Sequence, residues 1–159
     1  MISVANSVQV NPPEESVPLT REDVWRGLVL KAENALPFVP AMTVCEVKEQ
    51  TDTFIVREIE FRGQRFGERI TFDPGNSVRF DRTFGPVLGS IRNEILEDDK
   101  GDLLLRFSFD LKLDGVEAGS SAEQEYEATM KQDYLKAAGA TLAATRRMVA
   151  EERQAATRS

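Results

Sequence analysis

Arg57, Glu68, Arg82 and Asn93 each sit in a segment that alternates apolar and polar residues, and each takes the apolar phase. Two guanidiniums, a carboxylate and an amide set among Ile, Phe and Val could hold a ligand carboxylate, phenolate or enolate, with Glu68 accepting or donating a proton. The same residues could instead form an internal ion-pair network that fixes strand register, or lie near strand ends and reach out to water. If the face is dry the charges must be paired, because an isolated buried charge is costly or neutralises. Few other groups are available. The sequence has no histidine, which removes Ser-His-Asp and Cys-His catalysis and every histidine metal site. The single cysteine, Cys45, lies in the apolar stretch MTVCEV without a basic neighbour and is expected to be a buried, inert thiol.

The elements that position these residues follow from the turns. In TFIVREIEFR, Ile55, Ile59 and Phe61 share the phase of Arg57, while Glu58, Glu60 and Arg62 take the other. A two-residue turn at Gly63-Gln64 would pair Arg62 with Arg65, Phe61 with Phe66, Ile59 with Glu68 and Ile55 with Phe72. Asp73-Pro74-Gly75-Asn76 is a second turn, which pairs Phe72 with Val78, Ile70 with Phe80 and Glu68 with Arg82. Arg57 is then one diagonal step from Glu68. After Gly85-Pro86, Ile91, Asn93 and Ile95 share a face. Following the turn at Asp98 to Gly101, Leu103, Leu105, Phe107, Phe109, Leu111 and Leu113 make the longest inward stripe.

Helices flank this strand region. Thr20 is an N-cap for a helix that carries Glu22 and Asp23 in its first turn, with Val24, Leu28, Lys31 and Ala32 along one face and Trp25 as an anchor. It stops near Asn34, ahead of Pro37 and Pro40. A final helix of about 35 residues, about 50 Å long, starts at Ser120 or Ser121. Tyr126, Met130, Tyr134, Ala137, Thr141, Thr145 and Met148 fall on one arc of it. The small residues on that arc predict space beneath the helix. Tyr126 and Tyr134 could orient a ligand oxygen or simply belong to the core, and Met130 could flex around a ligand.

The 159 residues read as one domain. A balance of 20 basic to 27 acidic residues gives a net charge of −7, and the basic residues form no stripe, so nucleic acid is not an expected partner. The lone cysteine and the absence of a signal-like start predict a cytoplasmic protein. No window approaches the apolar length of a membrane span. The outer strand positions carry Glu58, Glu60, Arg69, Arg79 and Asp81, which ranks a protein-interaction module below a small-molecule binder.

Trp25, Gly27, Leu28, Lys31, Ala32 and Glu33, then Phe38-Val39-Pro40 and the strand from Arg57-Glu58 to Phe61, resemble the AtaL-like branch of the SRPBCC superfamily, related to START domains and the birch-pollen-allergen fold. The resemblance implies an α+β helix-grip fold: a strand, two short helices, six further antiparallel strands and a long C-terminal helix around a cavity. It also implies a hydrophobic, aromatic or polyketide-like small molecule as ligand. No cofactor is expected. No catalytic residue comes with it. Within that frame the candidate ligand contacts are Arg57, Glu68, Arg82, Asn93, Phe107, Phe109, Tyr126, Met130 and Tyr134. The alternative is a cofactor-free cyclase, dehydratase or isomerase with Glu68 as acid-base group and Arg57 and Arg82 stabilising an oxyanion.

Overall fold

A computed structural model describes residues 1–158. The element order is β1 (Ile2–Gln9), α1 (Arg21–Glu33), β2 (Met42–Gln50), β3 (Phe54–Phe61), β4 (Gln64–Asp73), β5 (Ser77–Phe84), β6 (Val87–Glu97), β7 (Leu103–Leu113) and α2 (Ser121–Arg158). All strands pair antiparallel in one sheet of order β1-β7-β6-β5-β4-β3-β2. The architecture is the expected helix-grip, with α2 laid across the concave face. Among the described residues no helix is long and apolar enough to cross a membrane.

Only one helix lies between β1 and β2, against the expected two. Residues 35–42 form a turn in which the Phe38 and Val39 amides both donate to the Ala35 carbonyl at 2.9 Å. Pro37 and Pro40 supply no amide hydrogens, so this turn cannot propagate. α1 itself starts as its sequence requires. Thr20 accepts from the Asp23 amide at 3.1 Å while Asp23 accepts from the Thr20 amide at 2.9 Å, a reciprocal capping box.

The β4–β5 hairpin has the expected register, with Glu68 opposite Arg82 and Ile70 opposite Phe80. The β3–β4 hairpin does not. Its turn is Arg62-Gly63, with both residues at positive φ (51° and 77°), so Phe61 pairs Gln64, Ile59 pairs Phe66 and Arg57 pairs Glu68 directly. Two consecutive left-handed residues make the twist that a tight hairpin favours. Arg62 pays the strain of that conformation, and its guanidinium forks onto the Asp133 carboxylate of α2 at 2.6 Å on both arms. The shift is two residues, so every side chain keeps its predicted face.

The core lies between the sheet and α2. Ile55, Ile59, Phe66, Ile70, Phe80, Ile91, Ile95, Leu105, Phe107, Phe109 and Leu111 point inward, against Leu28 of α1 and Met130, Ala138, Leu142 and Val149 of α2. Trp25 is half-buried, edge-on to Phe72 with ring centroids 6.1 Å apart.

Of the small residues on the inner arc of α2, Ala137 borders a cavity as expected, whereas Thr141 and Thr145 act differently from the sequence expectation. Thr141 and Thr145 are buried, and each hydroxyl donates to the carbonyl four residues back at 2.7 Å. Rather than leaving space, Thr145 receives α1. A Cβ added at Gly27 would stand 2.1 Å from Thr145 Oγ1, so the two helices meet at van der Waals contact there. Gly27→Ala is expected to lower stability by about 1–3 kcal/mol through overpacking. Thr145→Ala in the same chain should recover part of that loss, because it removes the clashing hydroxyl. Urea unfolding of the two single variants and the double variant checks this; strict additivity would mean that the helices do not touch at this point.

Candidate functional site

Four neighbouring strands and one helix bring the polar residues together. Arg57 (β3), Glu68 (β4), Arg82 (β5) and Asn93 (β6) are all between 2 and 8% exposed. Arg57 Nε donates to Glu68 Oε1 at 3.0 Å and Arg82 Nε donates to Glu68 Oε2 at 3.2 Å, so the carboxylate bridges the two guanidiniums. Arg57 Nη1 also donates to the Lys31 and Ala32 carbonyls at 3.0 and 2.9 Å. Those carbonyls belong to the last turn of α1, where the helix has no amides left to satisfy them. The same nitrogen lies 3.5 Å from Cys45 Sγ. Cys45 is half-buried beside a guanidinium, in contrast to the fully buried thiol expected among apolar neighbours. Its strand β2 is an edge strand, and cover from one side only leaves it partly open.

One member of the cluster was not among the sequence candidates. Lys31, on the inner face of α1, is 8% exposed, and its Nζ donates to Asn93 Oδ1 at 2.5 Å. Its position three residues after Leu28 and seven after Val24 placed it on the buried face. A lysine in a last helical turn usually points to solvent and complements the helix dipole, which masked the signal. Lys31 Nζ and Arg57 Cζ both face the Phe80 ring, at 5.5 and 5.6 Å from its centroid, and Arg82 Cζ stacks over Phe66 at 4.0 Å. Aromatic faces partly replace the water these cations have lost.

The cavity bounded by this cluster has a volume of about 40 Å³. Its wall consists of Lys31, Arg57, Glu68, Arg82, Asn93 and Tyr134 on the polar side, with apolar cover including Val39, Ile59, Phe61, Phe80, Ile91 and Ala137. That volume holds only a few water molecules. Of the other sequence candidates, Phe107 and Phe109 lie behind Tyr134, with ring centroids 6.1 and 5.2 Å from it, and brace that ring rather than line the cavity. Met130 is fully buried core, and Tyr126 is half-buried; neither lines the cavity. Val39 also borders a surface cleft of about 330 Å³ formed with Pro40, Ala41, Arg62, Asp133 and Lys136.

The electrostatics are unbalanced. Burial alone would push the Glu68 carboxyl up, but Arg57 and Arg82 outweigh it and hold Glu68 below the usual carboxylate range. Burial pushes Lys31 down from 10.5 to about 8, the Arg57 charge adds to that effect, and Glu68 opposes it. Burial raises the phenols of Tyr126 and Tyr134, so both remain protonated donors at neutral pH. Around the cavity three cations therefore face one carboxylate, and Arg82 Nη1 is buried without a hydrogen-bond partner. No group of three or more Asp, Glu and Cys side chains among the described residues could hold a metal ion.

The fold recurs in solved structures. The Zhui aromatase/cyclase from Streptomyces sp. R1128 is 21% identical with a TM-score of 0.69, covering 92% of this chain and 94% of its own. A START superfamily protein from Mycobacterium smegmatis is 14% identical with a TM-score of 0.66, covering 93% and 99%. The di-domain ARO/CYC StfQ from the steffimycin biosynthetic pathway is 8% identical with a TM-score of 0.71; the match covers 94% of this chain and 52% of that one. At these identities the likeness is one of fold. No curated protein matches the sequence significantly. The sequence itself goes further than the fold: residues 4–152 match the family AtaL, Acetylaranotin biosynthesis cluster protein L, and the chain belongs to that family.

Proposed function

We propose that the protein binds a hydrophobic, aromatic or polyketide-like small molecule between the sheet and α2, and that the ligand carries an anionic oxygen held by Arg82 and Lys31. The observation that carries this reading is the surplus of buried positive charge around a cavity lined by Arg82, whose Nη1 is buried without a hydrogen-bond partner. A carboxylate, phenolate or enolate would supply the missing acceptor. Further support comes from the similarity to an aromatase/cyclase and a START protein. Because the cavity is smaller than any such ligand, entry requires the wall to part; Val39 lines both this cavity and the outer cleft.

The buried charge of Lys31 costs stability. Holding Lys31 charged at neutral pH, with its folded value near 8 against 10.5, corresponds to about 3 kcal/mol against the folded state. The sign follows from proton binding. Between about pH 8 and 10.5 the unfolded chain holds the Lys31 proton and the folded chain releases it, so stability rises with pH across that window. Lys31→Met should abolish this rise, and denaturant unfolding of both proteins at about pH 7 and pH 10 measures it.

The enzyme reading uses the same cavity for cyclisation, dehydration or isomerisation with Glu68 as acid-base group. Both Glu68 oxygens are engaged by arginines and its carboxyl is held below the usual range, so it is better suited to anchoring cations than to moving protons at neutral pH. Glu68→Gln is expected to destabilise the fold by about 3 kcal/mol, since it leaves buried guanidiniums without their counter-charge. A Gln variant that keeps its stability and ligand binding but loses turnover of a test substrate would favour the enzyme reading instead.

Binding is tested with two probes of matched shape, 2-naphthoic acid and 2-naphthalenemethanol. The carboxylate should raise the Tm of the wild type and the alcohol should have little effect. Arg82→Met should remove the carboxylate's advantage. Equal stabilisation by the two probes, or an unchanged advantage in Arg82→Met, overturns the anionic-ligand reading and leaves the ion pairs as a purely structural network.

A further inference from the structure

Of the six lysines in the sequence, Lys48, Lys100, Lys112, Lys131 and Lys136 are exposed and Lys31 alone is buried. Its amine lies at the cavity wall with one hydrogen-bond partner among the described residues, the side-chain oxygen of Asn93. Every element around it presents a defined group: Arg57 from β3, Glu68 from β4, Arg82 from β5, Asn93 from β6 and Tyr134 from α2. An amine becomes a nucleophile when it is desolvated and placed beside other cations, because both conditions favour its neutral form. Lys31 meets both, with Arg57 facing the same Phe80 ring. An accepting amide oxygen at 2.5 Å also fixes the direction of one N–H, and the small, largely apolar cavity limits the water that would hydrolyse a carbon–nitrogen double bond.

We propose that Lys31 is the reactive amine of this cavity and condenses reversibly with a ketone carbon of a β-dicarbonyl ligand. The inference rests on the binding reading above and adds a covalent step to it. The neutral Nζ attacks the ketone carbon, forming a C–N bond while the C=O electrons move to oxygen, and a proton passes from nitrogen to that oxygen to give a carbinolamine. The hydroxyl takes up a proton from solvent and leaves as water, giving an iminium, and the carbon between the two carbonyl carbons then returns a proton to solvent, giving the neutral enaminone. One amine and one ketone yield one enaminone and one water; no oxidant or reductant is involved. The second carbonyl oxygen, which carries negative charge in the enolate form, is the acceptor that Arg82 Nη1 lacks. Burial keeps Lys31 close to its titration point at about pH 8, which supports the chemistry without supplying its geometry.

The probe is 1-phenylbutane-1,3-dione, an aromatic β-diketone. Incubation with the full chain at about pH 9 should add the mass of one diketone less one water, and peptide mapping should place it on Lys31. The rate should rise roughly tenfold per pH unit below about pH 8 and level off above it. Lys31→Arg should form no adduct while unfolding cooperatively in urea, and Lys112→Arg, at an exposed lysine outside the cavity, should label as the wild type does. If adducts are absent or confined to exposed lysines while naphthoate still stabilises the wild type, the amine proposal is overturned and the binding reading stands. If naphthoate also fails to stabilise it, both are overturned.

Discussion

The guanidinium of Arg57 is the joint on which the structure depends. It bonds the Glu68 carboxylate on the neighbouring strand and caps the final carbonyls of α1. A carbonyl at a helix C-terminus and a carboxylate in a protein interior are both costly if left alone. One planar five-donor cation meets both needs, where a lysine, with a single point of charge, would not. Through this joint the position of α1 is fixed relative to β3 and β4. Lys31 is thereby held over the cavity, and its carbonyl is one of the groups bound.

The consequence is a site whose order and whose energetic cost have the same source. Glu68 is saturated by two arginines, so the third cation, Lys31, has only the neutral Asn93 as its direct partner. A purely structural network would be better served by a second carboxylate, which would neutralise the surplus. Natural cores that retain such an imbalance commonly do so where function requires it. The apolar part of the wall, from Ile59, Phe61, Phe80 and Ile91, suits it to a hydrophobic ligand but carries no specificity of its own.

Much of this was legible in the sequence because the sheet's alternation is strict. The Asp73 to Asn76 turn carries proline and glycine at informative positions, so Glu68 and Arg82 could be paired by counting. The β3–β4 turn could not be read in the same way. Arg62 adopts a left-handed conformation that local preference disfavours, and its partner Asp133 lies 71 residues away on α2. The face assignment survived because the error was even. Cys45 failed for a different reason: its apolar neighbours in sequence predict a buried thiol, whereas the edge position of β2 leaves it partly open; Lys31 was placed on the inner face by its spacing, but its part in the cluster depends on Asn93 and Arg57, which other elements bring to it. Phe107 and Phe109 were correctly placed inward, but inward-facing residues can stand a layer behind a cavity as readily as beside it.

The contact of Gly27 with Thr145 gives α2 a fulcrum. A pivot there lies about 16 Å along the helix axis from Tyr134, so a tilt of about 10° lifts that residue by about 3 Å. Lifting it breaks the Arg62–Asp133 fork one residue away and parts Tyr134 from Phe107 and Phe109, so these contacts latch the far half of α2 to the sheet.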